Sequence, residues 1–104
     1  MTKEEFITAL NKANEAAQQI NNIEDGGYCV SDYVYFKLPE GIKPKDVKDL
    51  KNVSKVMYEN GYKGCYRFDI NYNSQTFRRR EMAESASKSL NESGIHSSVR
   101  YMAD

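Results

Sequence analysis

GCYRFDINY, residues 64 to 72, alternates without a break, with Tyr66, Phe68, Ile70 and Tyr72 on one side and Cys65, Arg67, Asp69 and Asn71 on the other. A period of two is that of a half-buried β-strand, whose successive side chains leave opposite faces of a sheet. This strand decides the fold, because the segments on either side of it read as helices. Upstream, Pro44 suits a first helical position, Val47, Leu50, Val53 and Met57 form an apolar stripe, and Gly61 suits a helix end. Downstream, Asn73 or Ser74 caps a helix running through TFRRREMAESASKSLNES with Phe77, Ala83, Ala86 and Leu90 as its stripe, and Gly94 stops it.

Further out the same alternation of elements recurs. Thr2 and Glu5 have capping-box spacing, and Phe6, Leu10, Ala13, Ala17 and Ile20 follow at helical steps. Asp25, Gly26 and Gly27 then turn the chain into YCVSDYVYFKL, residues 28 to 38, where Val34, Phe36 and Leu38 alternate with Tyr33, Tyr35 and Lys37. After Gly94, Ile95, Ser97, Val99 and Tyr101 alternate with His96, Ser98 and Arg100. Glu59 to Phe68 and Glu92 to Tyr101 share one grammar at a 33-residue offset, which generic helix ends followed by strands also produce.

These elements predict one α/β domain over residues 1–104 built as three helix-strand units, αβαβαβ. The expected sheet is three-stranded and mostly parallel, with its helices packed mainly on one face; the alternative is an α+β ferredoxin-like arrangement. In the parallel arrangement, Tyr33, Tyr35, Lys37, Cys65, Arg67, Asp69, His96, Ser98 and Arg100 fall on the face away from the helices. An uncovered parallel sheet is unusual, so a partner, a second copy of the chain or a differently placed helix is expected there.

Composition narrows the function classes. The net charge is zero, but Lys37 to Arg80 holds eleven basic residues against five acids, between two acidic ends. No apolar run approaches the roughly 20 residues that span a bilayer, and no secretory signal opens the chain. Two cysteines are too few for a disulfide scaffold, and a soluble, cytoplasmic protein with reduced thiols is expected.

Catalytic chemistry has little to work with. His96 is the single histidine, Cys29 and Cys65 begin no activating motif, no metal-ligand spacing occurs, and neither glycine-rich phosphate signature follows a strand. No enzyme, metal or cofactor is expected.

Two anomalies suggest binding instead. Arg78, Arg79 and Arg80 stand near a helix N-terminus, against the positive end of its dipole, where Asn73, Ser74, Gln75 and Thr76 add neutral donors and Arg78 charge for an anion. The plain alternative is a solvated turn neutralised by Glu81 and Glu84. Eight tyrosines crowd the strands, and Tyr with Arg is the pairing most enriched at interface hot spots, although Tyr also fills the core of a Trp-free domain.

The sequence therefore reads as a non-enzymatic protein-interaction module of regulator, inhibitor or phage and mobile-element accessory type. It would dock on another protein, one with an acidic surface, or on a second copy, through Tyr33, Tyr35, Arg67 and Arg100 and the basic segment 71–81 with Arg78, Arg79 and Arg80. The alternative is a binder of nucleic acid or of a phosphorylated small molecule that uses the basic middle region, with Tyr33 and Tyr35 as a platform for bases.

Overall fold

The computed structural model describes residues 1–20, 32–56, 64–70 and 77–101. Among them the elements run α1 (Lys3–Gln18), β1 (Tyr33–Phe36), α2 (Pro44–Val47), β2 (Val53–Lys55), β3 (Tyr66–Phe68), α3 (Phe77–Glu92) and β4 (Ser97–Arg100).

Local chemistry fixes the two long helices. Thr2 Oγ1 accepts the Glu5 N–H at 3.1 Å, and the Glu5 carboxylate accepts the Thr2 N–H at 2.9 Å, closing a capping box at the start of α1. The bond from the Thr2 backbone, then that with its hydroxyl, hold the Glu5 carboxyl below its ordinary value. At the far end of α3, Gly94 takes φ +88°; its N–H donates to the Asn91 carbonyl and the Ile95 N–H to that of Leu90, at 3.1 and 2.9 Å. This is a Schellman ending, sealed by the buried pair Leu90 and Ile95.

The helices meet through small side chains. Ala13 and Ala17 of α1 and Ala83 and Ala86 of α3 are fully buried, and the Ser85 hydroxyl donates to the Ala16 carbonyl at 3.1 Å. Both lie over one sheet face, where the Phe6 ring stands 5.8 Å from that of Phe36.

The sheet has four strands in the order β2-β3-β1-β4, and every neighbouring pair is antiparallel. Its register places Val53, Phe68, Val34 and Val99 in one row, and Tyr66, Phe36 and Ser97 in the next, under the helices. Ser97 stitches β4 to α3: its N–H donates to Asn91 Oδ1 at 2.8 Å and its hydroxyl to the Ser87 carbonyl at 2.9 Å.

The three-stranded, mostly parallel sheet of αβαβαβ units is therefore corrected to a four-stranded antiparallel one. The source of the difference is residues 48–56. The expected helix stops at Val47, and Val53 to Lys55 instead form an edge strand. Val47, Leu50 and Val53, at steps of three, mimic a helical stripe, yet the chain leaves the helix after Val47, and Val53 and Val56 join apolar clusters on opposite faces of the sheet. One added strand reverses the direction of β3 relative to β1. The ferredoxin-like alternative has the observed succession β1-α2-β2-β3-α3-β4 in an antiparallel sheet; the chain departs from it in its helices, since α2 has only four residues and the long partner of α3 is α1, which precedes β1. Met57 and Gly61 lie outside the described residues, as do Asn73, Ser74, Gln75 and Thr76.

Candidate interaction surface

The alternation that sends Val34, Phe36, Tyr66 and Phe68 to the helices sends Tyr33, Tyr35, Arg67, Ser98 and Arg100 to the opposite face. The register there aligns Ser54, Arg67, Tyr35 and Ser98 across all four strands, with Arg100 opposite Tyr33 in the next row. Tyr35 is only 6% exposed and forms a second apolar cluster with Val56 and Cys65, against which Tyr33 packs. Ser54 and Ser98 are exposed, and Tyr33, Arg67 and Arg100 half-buried.

Tyr33 organises the charged groups. The guanidinium of Arg67 lies over its ring at 4.7 Å from the centroid, and that of Arg79, from the first turns of α3, at 5.2 Å. A cation over an aromatic face is attracted by the ring quadrupole. Arg67 also meets Asp69. Its Nε approaches Oδ1 at 2.8 Å without its N–H pointing along that line, so the hydrogen bond proper comes from Nη2 to Oδ2, at 3.3 Å.

The other end of the surface is anchored on Asp32, fully buried just before β1. Arg80 donates to its carboxylate through Nε at 2.7 Å and Nη2 at 3.4 Å, while Arg79 Nε donates to its main-chain carbonyl at 3.2 Å. Arg80 lies 5.2 Å from the Tyr101 ring centroid, and the Tyr101 hydroxyl donates to Glu84 at 3.0 Å. Removal from water, then the bond to Glu84 and its charge, raise the Tyr101 phenol above its ordinary value. One chain of contacts thus runs from Glu84 through Tyr101, Arg80, Asp32, Arg79, Tyr33 and Arg67 to Asp69.

This chain accounts for the arginine run. A buried carboxylate at the entry to β1 offsets the cost of cations near the α3 N-terminus, and the consecutive residues Arg79 and Arg80 reach it by different atoms. Sequence reasoning named Tyr33, Tyr35, Arg67, Arg79, Arg80 and Arg100 but missed Asp32. The available signal was an acid directly preceding an aromatic strand, in a chain whose later helix opens on arginines. Arg78 is half-buried on α3, and the four neutral residues grouped with it for anion binding are not among the described residues.

Cys65 and His96, distant in sequence, line one hollow of about 230 Å³ with Tyr35, Lys37 and Ser98. Among the described residues no hydrogen bond joins the thiol to the imidazole, so the nucleophile and base of a covalent mechanism are not paired there. Nor, among those residues, do three or more His, Cys, Asp or Glu side chains converge for a metal ion, and no helix is long and apolar enough to cross a membrane.

No known protein-family model, curated protein or solved structure matches the chain.

Proposed function

We propose that this chain is a protein-interaction module that docks on a partner protein through the sheet face opposite its helices, acting as a regulator or inhibitor of that partner. The observation that carries the reading is the continuous row of Ser54, Arg67, Tyr35 and Ser98 with Tyr33 and Arg100 beside it, its ring and guanidinium groups already held by internal contacts. Tyr and Arg side chains fixed in advance lose little freedom on association, which is what makes such residues hot spots. Arg100, half-buried on the outer strand β4 of this face, favours a partner patch that carries carboxylates.

The same geometry disfavours nucleic acid. Stacking needs an accessible ring face, but Tyr35 is buried and Tyr33 already carries two guanidinium groups. Phosphate contacts need uncommitted cations, whereas Arg67 and Arg80 are matched by Asp69 and Asp32.

Affinity capture tests the reading with three proteins: the wild type, the face variant Ser98→Glu/Arg100→Glu, and Lys12→Glu on the exposed side of α1. The wild type and Lys12→Glu are expected to retain the same protein partner, and the face variant to lose it. Retention by all three, or nucleic acid released by salt in place of a protein, would overturn it.

A further inference from the structure

The two edges of the sheet are not equivalent. In β4, Ser97 and Val99 turn their backbone groups outward, since Lys37 N–H bonds the His96 carbonyl and the parity of an antiparallel ladder follows from that. There the Ser97 N–H is already taken by Asn91 Oδ1, and the hollow beyond it is lined by Glu84 and Glu92 as well as Lys88. This edge is blunted.

In β2 the bonds Asp69 N–H to Asn52 carbonyl and Val56 N–H to Cys65 carbonyl set Asn52, Ser54 and Val56 toward β3, so Val53 and Lys55 face outward. The Val53 N–H turns back to the Leu50 carbonyl at 3.4 Å. The Val53 carbonyl and both backbone groups of Lys55 have no partner among the described residues. Beside this free edge, between α2 and β2, lies a hollow of about 490 Å³ whose apolar walls are Pro44, Val47, Val53 and Tyr66 and whose rim carries Lys45, Lys48 and Lys55. These lysines are exposed, and none has an acidic partner among the described residues.

We infer that the β2 edge is a second docking site, distinct from the sheet face above, and that its occupant is an extended, acidic segment of a partner protein. Such a segment adds a strand to β2 through Lys55 and the Val53 carbonyl, seats an apolar side chain in the hollow against Val47 and Tyr66, and sets carboxylates against the three lysines. Charge selects the occupant: the rim repels a basic strand and repels β2 of a second copy, which would bring Lys55 against Lys55. A lysine that merely guards the edge against pairing is the competing role.

The test is an NMR titration of the full chain with an acetylated, amidated peptide of roughly six residues alternating Glu and Val, a length matched to a short strand. Two controls accompany it, the Lys and Val counterpart and the Glu and Val peptide N-methylated at alternate residues. Saturable shifts of the Lys55 amide and the Val47 methyls are expected, with binding weakened by salt and about tenfold or more by Lys48→Glu/Lys55→Glu or by N-methylation. Ser98→Glu/Arg100→Glu should leave this binding unchanged, so failure of the face reading and failure of this one are separable. No saturable shift, equal binding of the Lys peptide, or indifference to N-methylation would each overturn the proposal.

Discussion

On the helix side of the sheet Val34, Phe36 and Phe68 are packed out of water against α1 and α3; on the other side, one residue along the same strands, Tyr33 and Arg67 meet through a ring, a guanidinium and a carboxylate. The first arrangement is non-directional, grows with apolar area and is not screened by salt. The second depends on geometry and charge, contributes less to stability, and leaves polar groups at the surface. One residue along a strand, half its period, therefore separates the part of the molecule that makes it fold from the surface proposed for recognition.

Substitutions that exchange these roles should rank accordingly. Phe68→Ala opens a cavity under both helices and should lower the free energy of unfolding by about 3–5 kcal/mol, read from chemical denaturation at any ionic strength. Arg80→Met takes the Arg80 guanidinium from the buried Asp32 carboxylate and should cost about 3 kcal/mol, the low end for a broken buried pair because Arg80 itself is partly exposed, with some of it recovered by the second substitution Asp32→Asn. Tyr33→Leu keeps apolar bulk but removes the attraction for Arg67 and Arg79, a loss of about 1 kcal/mol that shrinks with added salt. A loss at Tyr33 as large as that at Phe68 would erase the distinction between the faces.

The smallest effect belongs to Glu5. Its folded carboxyl lies below the ordinary value near 4.5, so the capping box contributes above that pH, and the contribution is lost as pH falls through the lowered folded value. Glu5→Gln should lower stability slightly at neutral pH, leave it unchanged at low pH, and so flatten the acid limb of the stability curve.

Strong local signals were legible in the sequence: Thr2 and Glu5, the alternation of Tyr66 to Ile70, and Gly94 with Ile95 all act within a few residues of themselves. The topology was not, because β2 is three residues long and its Val53 continues the steps of three from Val47 and Leu50, a spacing that a helix also uses. Pairing with β3 overrides that local ambiguity, and no window of sequence contains β3's need for a second neighbour. The candidate surface was half legible. Alternation placed Tyr33, Tyr35, Arg67 and Arg100 on one face whatever the strand order, but the link from Asp32 to Arg80 spans 48 positions and exists only after folding. The burial of Tyr35 with Val56 likewise depends on β2.

The central claim, that recognition uses the sheet face away from the helices, is tested most directly by placing a photo-crosslinking amino acid at exposed Ser98 and, in a second protein, at exposed Lys12 on α1, each irradiated in cells that naturally make the chain. A covalent adduct with one protein of defined mass from position 98 and none from position 12 is the predicted result. An adduct from position 12 alone, or one with nucleic acid at position 98, would contradict it.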